Sequence, residues 1–238
     1  MSARKQTAEI KILLTSEHGG NAIPSEFEYL FKDAKAVLSS HRGFDLGSLD
    51  LYKALKSLSD FHLSSEQSRL LIELNRSLHH RSLFSEFSKT LTDKDKKHLI
   101  EHFYLPYRNE VERWIQSQLT QGHCVLHFSI HSFTPELNGV KRNADIGLLY
   151  DPKRKIEKDL CGNLAQAIKR ENIHLKIRMN YPYLGTADGF TSYLRKKFPQ
   201  NYAGIELEVN QKYVESNKLD VSLKESIFSA MKEILVDC

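Results

Sequence analysis

Short apolar runs that end in polar residues, alternating with longer stretches of helical period, constrain this 238-residue chain more than any single motif. Glu9 to Ser16 (EIKILLTS) reads as a strand running into the turn His18-Gly19-Gly20, and Cys124 to Ile130 (CVLHFSI) as another with His131 at its end. Ser68 to Leu74 (SRLLIEL), Ile146 to Leu149 and Gly204 to Val209 read as further strands. Between them lie helical patterns. One covers Leu46 to Leu58, starting just after Asp45. Another opens at a capping Thr92-Asp93, repeats Leu99, Phe103, Tyr107, Val111 and Ile115 every four residues, and stops at Gly122. Glu157 to Arg170 and Val221 to Val236 complete the set. Such alternation predicts an α/β fold in which a largely parallel central sheet is covered by helices on both faces. No linker, repeat or shift of composition divides the chain, so one domain over residues 1–238 is expected.

Composition removes several function classes. No run approaches the roughly 18 apolar residues of a membrane helix, and Met1 to Ile10 is polar where a secretory signal would be apolar, so the protein is expected in the cytoplasm with no membrane partner. Cys124, Cys161 and Cys238 are odd in number and far apart, which suits reduced thiols. The net charge of +4 is spread among carboxylates, so nucleic acid is not an expected partner, whereas a small anionic substrate is compatible with it. Nothing in the pattern sets an oligomeric state.

In parallel sheets ligands collect outside the carboxyl ends of the strands, and His18, Asn75, Arg76 and His131 fall at such ends. A catalytic zinc takes three protein ligands from His nitrogen and carboxylate oxygen, and His18, Asp45 and His131 would make such a set. Each alone has a structural use as well: a hydrogen-bonding His, a helix-capping Asp, a packed strand-end His. Ile205, Leu207 and Val209 alternate with Glu206 and Glu208, which puts both carboxylates on one strand face. They would be costly to bury without partners or a metal, unless the strand is an edge and both are solvated. An Asn-Arg pair such as Asn75-Arg76 suits a carboxylate, since a guanidinium grips it with two parallel hydrogen bonds.

Taken in order, LLTSEHGGNAIP, HRGFDLGSLDLY, the tripeptide LNR at Leu74 to Arg76, HFSIHS and GIELEVNQ resemble the successive motifs of the N-formylglutamate amidohydrolase family, relatives of the zinc carboxypeptidase and aspartoacylase group. The resemblance spans Leu13 to Gln211. It implies a zinc-carboxypeptidase-like (phosphorylase/hydrolase-like) fold and one divalent metal ion, zinc by type, held by His18, Asp45 and His131. It further implies Glu208 as general base and later general acid, with Glu206 the competing assignment, and Asn75 and Arg76 on the substrate carboxylate. Arg142 would neutralise a second carboxylate or the developing oxyanion.

The implied reaction is hydrolysis of a small anionic N-acyl amino acid, N-formyl-L-glutamate to formate and L-glutamate, as in amino-acid catabolism. A deacylase or carboxypeptidase for another N-acyl amino acid or peptide, and a non-catalytic binding module, are the alternatives. Two departures stand out. Asn21 occupies the position where the carboxypeptidase group places a metal-binding Glu, and Asn210 stands where the family often carries an arginine close after the glutamate. His127 reads as a satisfied core or outer-sphere residue, His79-His80 as a loop, and Asn180 to Gly189 as a lid, pocket wall or crossover loop.

Overall fold

The computed structural model describes residues 8–236. Its strands are β1 (Ile10–Ser16), β2 (Phe61–Ser64), β3 (Cys124–Phe133), β4 (Glu136–Leu137), β5 (Val140–Lys141), β6 (Ile146–Leu149), β7 (Ile177–Met179), β8 (Tyr202–Asn210), β9 (Val214–Glu215) and β10 (Lys218–Leu219). Six of them form a sheet in the order β2-β1-β3-β8-β6-β7, while β4 with β5 and β9 with β10 make small hairpins. The helices are α1 (Lys35–Leu38), α2 (Ser48–Leu55), α3 (Asp93–Leu99), α4 (Leu105–Thr120), α5 (Lys155–Glu171), α6 (Phe190–Lys197) and α7 (Val221–Val236).

The largely parallel sheet is present, with one reversal. Strands β2, β1, β3 and β8 run the same way, and β6 pairs antiparallel with β8 while β7 follows β6. Because β6 is reversed, its beginning lies at the edge where β1, β3 and β8 finish. Arg142, four residues upstream of β6 (146 − 142), is delivered to that edge.

The two faces of the sheet differ in composition along the strands. On one, Ile12, Leu14, Leu126, Phe128, Ile130, Ile205, Leu207 and Val209 pack with α2, α5 and α7. The other begins apolar, with Leu13, Val125 and Tyr202 against α3, α4, α6 and intervening loops. It then turns polar toward the strand ends, through His127, Ser129 and His131 on β3 and Glu206 and Glu208 on β8. Pairing sets Ser129 beside Glu206 and His131 beside Glu208. Each fully buried Leu, Ile or Phe stabilises the fold by about 1.5–3 kcal/mol, and a one-residue slip would exchange the two faces, so the apolar side fixes the register of the polar one. Strand β8 lies inside the sheet and Glu208 is 5% exposed, so the edge-strand alternative with two solvated glutamates does not apply.

Ser68 to Leu74 is not a strand. Residues 68–76 are turns, in which the Leu71 N–H donates to Ser68 O (3.0 Å) and the Glu73 N–H to Leu83 O (2.9 Å), while the Ser68 hydroxyl donates to Gly43 O (2.9 Å). Leu70, Leu71, Ile72 and Leu74 are buried because this loop inserts into the second core. A short apolar run satisfies a buried loop as well as a strand. The strand of this region is the half-buried β2. Asp45 is not a helix cap either: α2 starts after Gly47 and ends at Leu55, with a 3-10 turn over Lys56–Leu58. Thr92 does cap α3, accepting from the Asp95 N–H, and the run through α4 stops at Gly122 with φ of +84°.

Cys124 and Cys161 are free thiols; Cys238 and the first residues of the polar Met1 to Ile10 segment lie outside the described residues. Among the described residues no helix is long and apolar enough to cross a membrane.

Candidate metal centre and active site

His18, Asp45 and His131 are spread over the chain, His18 and His131 standing 113 positions apart (131 − 18), yet one ligand atom from each lies within 4.8 Å of the others. Local structure brings each in. His18 lies in the turn after β1, and its carbonyl accepts from the Asp45 N–H (2.9 Å). The Asp45 loop is closed by Gly47, whose φ of +78° and whose missing Cβ, which would stand 2.6 Å from Val214 Cγ2, both require glycine. Asn217 in the turn between β9 and β10 accepts from the Gly47 N–H (2.8 Å), so the second hairpin holds the loop in place. His131 lies within β3, which continues to Phe133, rather than at its end.

Each imidazole presents Nδ1 to Asp45 and Nε2 to a different carboxylate. Asp45 Oδ2 is 3.4 Å from His18 Nδ1 and 2.9 Å from His131 Nδ1. On the outer side, His18 Nε2 is 2.5 Å from Glu73 Oε1, and His131 Nε2 is 3.2 Å from Glu17 Oε2 and 2.9 Å from Ser129 Oγ. All five titratable groups are buried. Burial alone would raise the three carboxyls, but the His131 bond on Glu17, His18 and His131 on Asp45, and Arg69 and His18 on Glu73 outweigh it and hold all three below the usual range. Burial and Arg69 pull His18 down, yet Glu73 and Asp45 raise it on balance; His131 is raised well above its usual value, against burial, by Asp45 and Glu17.

Ionised carboxylates only accept, so Glu73 and Glu17 call for a hydrogen on each Nε2, and Asp45 takes any hydrogen on Nδ1; a divalent cation in place of the Nδ1 hydrogens would find two lone pairs and a carboxylate oxygen facing it. Two imidazole nitrogens and one carboxylate oxygen converging, with both outer nitrogens bound to carboxylates, is a donor set that fits a divalent cation.

Glu208 stands next to His131 across the β3–β8 pairing, and its Oε2 is buried without a hydrogen-bond partner among the described residues. Burial, with Asp45 and Glu206 adding and His131 and His18 opposing, raises its carboxyl to about 8. Its other neighbour across the sheet is Gly147, where a Cβ would fall 2.0 Å from Tyr181 O, so glycine lets the segment after β7 cross close to Glu208. These residues floor a cavity of about 230 Å³ that also takes in Arg69, Asn75, Arg76, Arg142 and Tyr183. The sequence matches the N-formylglutamate amidohydrolase family over residues 10–214.

The chain belongs to that family. As an N-formylglutamate amidohydrolase family member it is a hydrolase that acts on amides. Its fold is shared with a gene product of Agrobacterium tumefaciens (TM-score 0.78, 22% identity, covering 97% of this chain and 92% of that one). It is shared also with N-formylglutamate amidohydrolase from Ralstonia eutropha JMP134 (TM-score 0.68, 15% identity, 98% and 95%). No curated protein sequence matches.

The remaining expected site residues of this family member line the same cavity. Asn75 Oδ1 accepts from the Phe190 N–H (2.7 Å), and an Arg76 Nη1 donates to Asp188 O. Arg142 donates to Thr134 Oγ1 (3.2 Å) and Tyr183 OH (3.0 Å). Glu206, the competing glutamate, accepts from Thr191 Oγ1. The segment Asn180 to Gly189 forms part of the cavity lining through Tyr183, Leu184, Ala187 and Asp188. His127 is a satisfied core residue between Thr15 Oγ1 and Tyr202 OH (2.8 Å each), lowered to about 4 by burial. Asn210, at the position where the family often has arginine, is buried and donates to Ala144 O (2.8 Å).

Sequence reading missed Glu17, Arg69 and Glu73. Arg69 donates to both Glu73 Oε2 (2.6 Å) and Asp45 Oδ1 (3.3 Å) and lines the cavity. For Glu17 a signal existed: Leu13, Thr15 and Glu17 share the alternation of Ser129 and His131, but only the pairing of Thr15 with Ser129 brings the two series together.

Proposed function

We propose that the protein hydrolyses the amide bond of an N-acyl amino acid, with N-formyl-L-glutamate as the expected substrate and zinc held by His18, Asp45 and His131. The observation that carries this reading is the convergence of the two Nδ1 atoms on Asp45 beside the unpartnered Glu208 Oε2. A bound divalent cation supplies Lewis acidity toward an amide carbonyl and toward water. Beside such a cation the Glu208 carboxyl would be drawn toward its ionised form, the one that accepts a proton.

In this reading Glu208 removes a proton from the attacking water and later delivers it to the leaving amine. Asn75 and Arg76 orient one substrate carboxylate. Arg69, tied to Asp45, or Arg142 would stabilise negative charge developing on the carbonyl oxygen, and Arg142 with Tyr183 would also suit a second carboxylate. Arg76 and Arg142, neither of them paired to a carboxylate among the described residues as Arg69 is, would take one carboxylate each of a dianion.

A second reading has an observation of its own. Leu137 and Leu184 line the same cavity and are 38% and 62% exposed, an apolar rim that a formyl group does not need and a larger acyl group would cover. The test is zinc content of wild type, His18→Ala and His131→Ala, together with formate release from N-formyl-L-glutamate. Near-stoichiometric zinc lost in both variants, with formate released, is expected. Zinc without formate, but with acid released from longer N-acyl glutamates, would favour the second reading. No zinc taken up by wild type would end the metal-dependent one.

A further inference from the structure

Glu17 is an unusual residue to find in the interior of this fold. It is 1% exposed and directly precedes His18. The chain turns where β1 ends at Ser16, and in that turn His18 faces Asp45 while Glu17 faces β3. Thr15 pairs with Ser129, and two residues further on Glu17 comes level with His131. There its carboxylate collects three donors from two elements: Tyr107 OH on α4 to Oε1 (3.0 Å), and Ser129 Oγ (2.6 Å) and His131 Nε2 (3.2 Å) on β3 to Oε2. Ser129 spends its hydrogen on Glu17, so toward His131 Nε2 (2.9 Å) it can only accept. Both neighbours of that nitrogen therefore demand a hydrogen on it.

We propose that Glu17 is a positioning residue for the metal centre, which fixes His131 with its hydrogen on Nε2 and so commits Nδ1 to the cation; this rests on the metal reading above. Tyr107 and Ser129 are part of the device, because each uses up an acceptor site on Glu17 and aims the remaining lone pairs at His131. The geometry makes the two histidines equivalent in kind, Glu73 serving His18 as Glu17 serves His131. It also explains why a carboxylate stands in the interior beside an imidazole whose ring already has Asp45 as its partner.

The test measures zinc affinity by chelator competition in wild type, Glu17→Gln and Tyr107→Phe, with the imidazole nitrogen–proton NMR spectrum of the zinc-loaded proteins. A carboxamide can donate as well as accept, so Glu17→Gln no longer dictates which nitrogen carries the hydrogen. Outer-sphere partners of this kind are worth about 10–100-fold in metal affinity, the loss expected for Glu17→Gln. Tyr107→Phe removes one hydroxyl without a change of charge or packing volume and should give a smaller loss, which keeps the test open if Glu17→Gln does not fold. In zinc-loaded wild type the His131 hydrogen is expected on Nε2. Unchanged affinity in the folded variants, or a His131 hydrogen on Nδ1, would overturn the inference while leaving the metal reading intact. Failure of wild type itself to bind zinc would overturn both.

Discussion

The two walls of the cavity are built by opposite means. His131, Glu206 and Glu208 stand on β3 and β8, whose pairing from Val125 with Tyr202 to Phe133 with Asn210 fixes them through the backbone ladder. Arg69, Asn75 and Arg76 stand on turns with no ladder. Side chains take its place. The Arg108 guanidinium donates to Leu74 O (3.0 Å) and Arg76 O (3.3 Å), and Tyr104 OH donates to Arg76 O (2.6 Å). Arg108 is itself 3% exposed and lies against the rings of Phe190 (4.3 Å), Tyr193 (4.4 Å) and Tyr104 (5.0 Å). A loop wall can thus be held firmly, but its geometry depends on a few distant side chains. The strand wall depends on a register that many residues share.

That contrast predicts where substitutions act. The largest effect is expected on the strand wall: Glu208→Gln should lower turnover by about 10²–10⁴-fold while zinc stays bound. Steady-state kinetics on zinc-loaded protein decides it, and undiminished turnover would transfer the role to Glu206. On the loop wall, Arg108→Met should release the Asn75-Arg76 turn, raising KM by about tenfold, equivalent to about 1.4 kcal/mol of binding, with a smaller change in kcat. It should also cost about 1–3 kcal/mol of stability in urea unfolding through the Leu74 carbonyl left without its donor. An unchanged KM would mean that the turn holds its shape without the clasp.

A pH effect separates the walls further. Folded Glu208, raised to about 8 from the usual 4.5, binds its proton more tightly than the unfolded chain does. Its stabilising contribution is therefore complete below the unfolded value and is lost as pH rises through the folded one. In metal-free protein, Glu208→Gln should melt above wild type at a pH of about 9, with the gap closing toward about pH 5. A gap that does not vary with pH would assign the difference to packing. The smallest effect is expected from Thr92→Ala, which removes the cap of α3 at a cost of about 1 kcal/mol and touches neither wall, so melting should fall while KM stays constant.

Much of the fold was legible in the chain. The apolar periods marked β1, β3, β6, β8, α5 and α7, and α7 spans the expected Val221 to Val236. Ser68 to Leu74 was misleading because burial in a loop and burial in a strand select the same residues. The direction of β6 was also not legible, since the alternation of a strand is the same in either orientation, and with it went the reason Arg142 reaches the site edge.

What the sequence determined by itself was the set of polar residues and the faces they occupy, because a period of two along a strand is a local property. Which carboxylate serves which histidine was decided by tertiary structure alone. Glu73 reaches His18 from 55 residues away, and Glu17, adjacent to His18 in the chain, serves His131 instead. A hydrogen bond answers to distance in space, and strand register sets that distance with no regard to order along the chain.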